Sequence, residues 1–211
     1  TPRTKSTADV PSQSASEAGL TCRAEHDLAV ENIVRFDVES FEVAYHIIGG
    51  GEEGNKDVVA TKEQADHSLP YMVAVALLDG RVTPAQYSPD RIGRQDVQDL
   101  LRRVTVRPDP ELSTRFPEHH ACRVHIRLRD GRVLSRAKED YEGFHTRPAS
   151  WQMLVDKFMS LSQPVAGDSL CAEIVDIVKR LDQVPIQSLM STLARVPMPL
   201  AADDTRTRRI G

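Results

Sequence analysis

Between Cys122 and Lys138 the chain alternates so regularly that a two-stranded hairpin is the structure that satisfies it. Cys122, Val124, Ile126 and Leu128 stand against Arg123, His125, Arg127 and Arg129; Asp130-Gly131 follows, and Arg132 to Lys138 continues as a second strand. Successive side chains of a strand point to opposite faces, so one face of this hairpin is apolar and must be covered, while the other carries cations. Asp-Gly between two such runs predicts a type I′ turn. The cover must come from elsewhere in the chain.

Helices are the available cover. Thr61 with Gln64 forms a capping-box pattern ahead of residues 65–78, which are apolar on most faces and end at Asp79-Gly80. Pro70 either kinks that helix or marks its true first turn. Further helices are expected over 15–25, over 95–103 with Val97, Leu100 and Leu101 on one side, and over 150–161, 168–181 and 186–195. Residues 32–43 alternate Ile33, Val34, Phe36, Val38, Phe41 and Val43 against Arg35, Asp37, Glu39 and Glu42, a strand with a bulge near Ser40, and residues 104–107 form a short strand ended by Pro108 and Pro110. The order predicts an α+β fold, a small antiparallel sheet with a hairpin covered by helices. Residues 1–14 read as a flexible lead-in, 15–196 as the folded part and 197–211 as a disordered tail.

Composition narrows the function classes. With 27 Lys plus Arg against 31 Asp plus Glu, the formal charge of −4 excludes a generally basic, nucleic-acid-binding surface. Aromatic residues make up 5%, so the core is expected to be aliphatic. Cys22, Cys122 and Cys171 are widely separated and odd in number, which argues against a disulfide framework and structural zinc. The longest apolar stretch, residues 72–78, is far short of the ~18 residues of a membrane span. No signal-peptide pattern opens the chain, and a cytoplasmic protein, cut from something longer, is the expectation.

Candidate chemistry is sparse. The histidines at 26, 46, 67, 119, 120, 125 and 145 form no metal-ligand spacing, and His26, His119, His120 and His125 read as surface positions. Ser68 lacks the flanking glycines of a nucleophile elbow. Residues 49–55, GGGEEGN, lack P-loop spacing, and their paired carboxylates would repel a phosphate, so they read as a surface loop. Two clusters remain. Asp66-His67-Ser68-Leu69-Pro70-Tyr71 either positions a small anion at a helix start or simply caps that helix through Asp66 or Ser68. Residues 141–148, YEGFHTRP, place Arg147 either to pair with a carboxylate or within a loop that joins hairpin to helix.

Taken together these motifs resemble the MmgE/PrpD family, which includes 2-methylcitrate dehydratase, cis-aconitate decarboxylase and iminodisuccinate epimerase. The resemblance rests on Ser12-Gln13-Ser14-Ala15 with Glu17-Ala18, on the run from Asp66 to Gly80, on Arg107-Pro108-Asp109-Pro110 followed by the Asp130-Gly131 hairpin, and on Tyr141-Glu142-Gly143 to Pro148 with Lys157-Phe158. It implies the lid domain and C-terminal helices of such an enzyme, with the larger helical catalytic domain lying ahead of Thr1. Near the start the family carries a Lys, a Tyr or similar residue, and a His; strict spacing puts Thr4, Ser6 and Pro11 at those places. Proline cannot transfer a proton and threonine cannot replace an ammonium.

What the resemblance implies is a 2-methylcitrate dehydratase-like hydro-lyase acting on a small tricarboxylate, inactive as this partial chain. Tyr71 and His67 are the catalytic candidates, and Ser68 and Arg147 the substrate-binding ones. No metal or organic cofactor is implied. A small carboxylate is the expected partner, with self-association through apolar surface left bare, and neither nucleic acid nor membrane. The alternatives are an inert lid module serving as a binding or assembly domain, or a family decarboxylase or epimerase.

Overall fold

The computed structural model describes residues 10–197, and the chain divides after Pro148 into two units. Residues 1–9 of the expected lead-in, and all of the expected tail beyond Pro197, lie outside the described residues.

The first unit is α+β, as expected. Helix α1, Val10–Glu25, begins earlier than the spacing predicted. Proline is tolerated in a first helical turn, and Ser12 and Ser14 are buried, with Ser12 Oγ 3.1 Å from Met72 Sδ and Ser14 Oγ donating to the His120 carbonyl at 2.6 Å. At Gly19 the helix comes so near the sheet that a Cβ would lie 3.2 Å from the Phe36 ring.

Strand β1, Ile33–Ser40, pairs on one side with β2, Val104–Pro108, and on the other with β3, Cys122–Leu128, which pairs with β4, Val133–Lys138, giving the order β2-β1-β3-β4. The sheet is mixed: β1 and β2 run parallel, Val38 opposite Val106, while the other pairs are antiparallel. A parallel pair needs a long crossover, and the chain between β1 and β2 supplies one carrying helices α2, Leu69–Asp79, and α3, Gln95–Leu101. The bulge in β1 sits between Ile33 and Arg35 rather than near Ser40, where the strand ends and a short helical turn follows.

The apolar run predicted over 65–78 is split. Thr61 caps a short helix, Lys62–Asp66, through the expected capping box with Gln64. The chain then breaks at His67, Ser68 caps α2, and Pro70 lies in its first turn. Residues 69–77 of α2 are all buried, so tertiary burial on every side, at roughly 25 cal/mol per Å² of apolar surface, holds this helix rather than an amphipathic stripe. Gly80 terminates it in the left-handed region, φ 72°.

The hairpin has the expected strands but a different turn. Among the described residues Asp130 has no positive φ, whereas Gly131 has φ 88°. Gly131 N–H donates to the Leu128 carbonyl and Leu128 N–H to the Arg132 carbonyl, which is the three-residue loop with a glycine bulge, not the two-residue type I′ form. The core is largely aliphatic, with Phe36, Phe41 and Tyr71 among its largest side chains.

The second unit contains helices α4, Trp151–Ala166, capped by Ser150 and longer than expected, α5, Asp168–Lys179, and α6, Ile186–Leu193. Leu170, Cys171, Ile174 and Ile177 of α5 are buried. No residue of α4 is.

Candidate functional site

The entry to α2 gathers three of the four candidate residues. Ser68 is fully buried; its hydroxyl accepts from Tyr71 N–H at 3.1 Å and donates to the Lys56 carbonyl at 2.7 Å. Of the two readings left open by the sequence, this is the capping one, with Ser68 as the cap. Asp66 lies one turn back and pairs with Lys62 Nζ at 2.5 Å. Tyr71 is also fully buried, its hydroxyl donates to the Gln86 carbonyl, and its ring lies 6.1 Å from that of Tyr87. Burial, ahead of the opposing pull of Arg91, pushes the phenol up to about 12. Neither Ser68 nor Tyr71 presents an atom to solvent.

His67 is exposed, with Nδ1 3.2 Å from the Glu63 carbonyl. When Nδ1–H donates to that carbonyl the neutral ring leaves Nε2 unprotonated, which is the form of a base.

Arg147 belongs to a different locus. Its guanidinium reaches Glu17 on α1 at 3.0 Å and Asp140 at 3.1 Å, and Glu17 also takes Lys138 Nζ at 2.7 Å and Glu142 N–H at 3.1 Å. Glu17 and Asp140 are buried, at 8% and 6% exposure, so two carboxylates are held away from water by two cations. Burial alone would push Glu17 up; the hydrogen bonds from Lys138 and Arg147 outweigh it and hold the carboxyl below its ordinary value. Arg147 does pair with a carboxylate, as its residue type suggested, and the carboxylates are the protein's own. The network fastens the 139–148 segment to α1 and β4.

Beside it lies a cluster that the sequence reading missed. The His120 ring sits 4.7 Å from Phe144, 5.2 Å from Phe41, 5.4 Å from Phe116 and 5.9 Å from Tyr141. The surface position expected for His120 is corrected by this packing, and His119 beside it is likewise half-buried; the Nδ1 of each is buried with no hydrogen-bond partner among the described residues. Burial first and His145 second hold His120 below the usual imidazole value. Aromatic residues spread from position 41 to 144 left no local pattern by which to find it.

Cys22, Cys122 and Cys171 are free and buried, and burial pushes the Cys122 thiol up to about 12, which disfavours its thiolate. Among the described residues no group of three or more His, Cys, Asp or Glu is placed to hold a metal ion, and no helix is long and apolar enough to cross a membrane.

Residues 7–183 match the family model described as the MmgE/PrpD C-terminal domain. The cis-aconitate decarboxylase of Homo sapiens is 26% identical over 145 residues, covering 69% of this chain and 30% of that protein. The 2-methylcitrate dehydratase of Cupriavidus necator is 33% identical over 140 residues, 61% of this chain and 28% of that protein. The 2-methylcitrate dehydratase of Escherichia coli K12 is 26% identical over 195 residues, 87% of this chain and 39% of that protein. The chain thus spans between 28% and 39% of the length of these relatives.

Proposed function

The chain belongs to the MmgE/PrpD family, matching its C-terminal domain over residues 7–183, and from that membership we propose that it is the lid-side portion of a cytoplasmic hydro-lyase that removes water from a small tricarboxylate of the 2-methylcitrate type. The observation that carries the reading is the family match itself, with the 2-methylcitrate dehydratase likeness extending over 87% of the chain. The decarboxylase likenesses support the same substrate class, since cis-aconitate is also a tricarboxylate, and they favour decarboxylation as the second reading.

Dehydration of such a substrate requires a base for the proton beside a carboxylate, an acid for the departing hydroxyl, and cations for the carboxylates. In this reading His67 takes the proton-transfer role, because its ring is exposed and Nδ1 is anchored at Glu63. Tyr71 serves as proton donor only if its hydrogen bond to Gln86 opens, and Arg147 reaches a substrate carboxylate only by giving up Glu17 or Asp140. Ser68 acts through the helix start that it caps. Free groups among the described residues do not meet all three roles, so we expect no turnover from this chain alone and turnover once it is joined to a helical catalytic domain.

The test is an absorbance assay for double-bond formation from 2-methylcitrate, run beside release of carbon dioxide from cis-aconitate, on the 211-residue chain and on the full-length gene product. Dehydration by the longer protein supports the proposal. Carbon dioxide release without dehydration makes it a decarboxylase, and inactivity of the longer protein on both overturns the proposal.

A further inference from the structure

The open face of the sheet, opposite the helices of the first unit, carries a groove of about 810 Å³ whose lining includes Arg35, Arg102, Arg103, Arg107 and Arg127 with His125 and a single carboxylate, Asp37. This gathering of cations runs against the net charge of −4 of the whole chain. Its centre is built by the bulge. Ile33 faces the core, and without the register shift after it Arg35, two residues on, would face the core as well. The shift puts Arg35 on the open face directly opposite Arg127. Side chains so paired stand about 5 Å apart at Cβ, where like charges repel.

Some of this charge is answered within the protein. Arg35 donates to Asp37, Arg102 to Asp99 and Arg107 to Glu39, at 2.8, 2.7 and 2.8 Å. Arg103 spends one nitrogen on the Ile33 carbonyl at 2.7 Å and meets no carboxylate, and Arg127 makes no ion pair, among the described residues. A groove that sets two cations face to face and leaves two guanidinium groups without a counter-charge is complementary to an anion with more than one charged group. Phosphate sites commonly add the backbone N–H groups of a helix N-terminus; here Arg102 and Arg103 follow the opposite end of α3, where the helix dipole is negative. Guanidinium forks match carboxylate and phosphate alike; without such N–H groups the groove lacks the second half of a phosphate site and keeps the half that a carboxylate needs.

We propose that this groove binds a small polycarboxylate, one carboxylate shared between Arg35 and Arg127 and another held by Arg103. The site is separate from the α2 entry, and the inference stands or falls without reference to turnover.

Calorimetric titration of the 211-residue chain with tricarballylate at low ionic strength tests it. One molecule is expected to bind per chain, Arg127→Gln to weaken binding at least fivefold, and Arg132→Gln, at the hairpin tip and paired with Asp130, to leave it unchanged. Because Arg127→Gln removes a like-charge opposition, the unliganded variant should melt no lower than the parent, which separates lost binding from lost folding. Absence of saturable binding by the parent chain, unchanged binding by Arg127→Gln, or tighter binding of pyrophosphate than of tricarballylate each overturns the proposal.

Discussion

The two units of this chain solve the problem of covering apolar surface in opposite ways. In the first, α2 is buried along nearly its whole length and the sheet turns Phe36, Val38, Val124 and Ile126 inward with no exposure. In the second, α4 has no buried residue, Trp151, Leu154, Leu161 and Val165 stand between 38% and 51% exposed, and Ile186 and Met190 of α6 are more exposed still, at 53% and 59%. The first unit closes over its own core, whereas in the second α5 buries Leu170, Cys171, Ile174 and Ile177 while the apolar stripes of α4 and α6 remain largely wet. A folded segment can therefore be regular in its backbone while its side chains await cover.

The sharpest way to break that comparison is to damage one core and watch both units. All four tyrosines, Tyr45, Tyr71, Tyr87 and Tyr141, lie in the first unit and the single tryptophan, Trp151, in the second. Phe36→Ala should destabilise the first unit by about 3–5 kcal/mol, read by the tyrosine near-ultraviolet signal, while the Trp151 fluorescence transition in urea stays in place. A common shift of both signals would mean that the units unfold as one. Next in size, Glu17→Gln should cost about 2–3 kcal/mol at neutral pH, less than a fully buried broken pair because Arg147 is half-exposed. The folded carboxyl titrates below its ordinary value of 4.5, so its contribution is present above that value and disappears as pH falls through the folded one. Urea midpoints of parent and variant should accordingly converge in acid; a gap that persists there would mean lost packing rather than lost charge.

Ser68→Ala removes the α2 cap and should cost about 1 kcal/mol by thermal denaturation, leaving the secondary structure intact. Smallest in stability is Leu154→Ala, within about 0.5 kcal/mol, because the side chain is 49% exposed. Its site should matter for association instead. We expect the chain to self-associate through the α4–α6 stripes, and Ile186→Glu with Met190→Glu to lower the light-scattering mass; a monomer at micromolar concentration before mutation would remove that expectation.

Local chemistry was legible in the sequence. The Cys122–Lys138 alternation, the Thr61 capping box, the Ser150 cap and the stop at Gly80 each depend on residues within one or two turns, and the structure has them all. What depends on distant partners was not. The parallel pairing of β1 with β2 follows from where the crossover helices pack, and no feature of residues 104–108 alone sets its direction. The hairpin turn differs because Arg129 joins the loop, which Asp130-Gly131 by itself does not reveal. Of the candidate site, the residue types were readable but their surroundings were not: Arg147 meets Glu17 from 130 positions away, and the partner of the Tyr71 hydroxyl is a backbone carbonyl, which no side-chain pattern announces.

The central position of β1 also has a consequence for biosynthesis. Both of its neighbours, β2 and β3, are encoded far downstream, so a nascent chain carries β1 with both edges open while the intervening helices are made, on the order of several seconds at ordinary elongation rates. The hairpin of β3 and β4, whose contacts are local, can zip as soon as it emerges, and β1 is then captured between two strands younger than itself. The interval before that capture is when this chain is most open to chaperones and to pairing with other copies of its own edge.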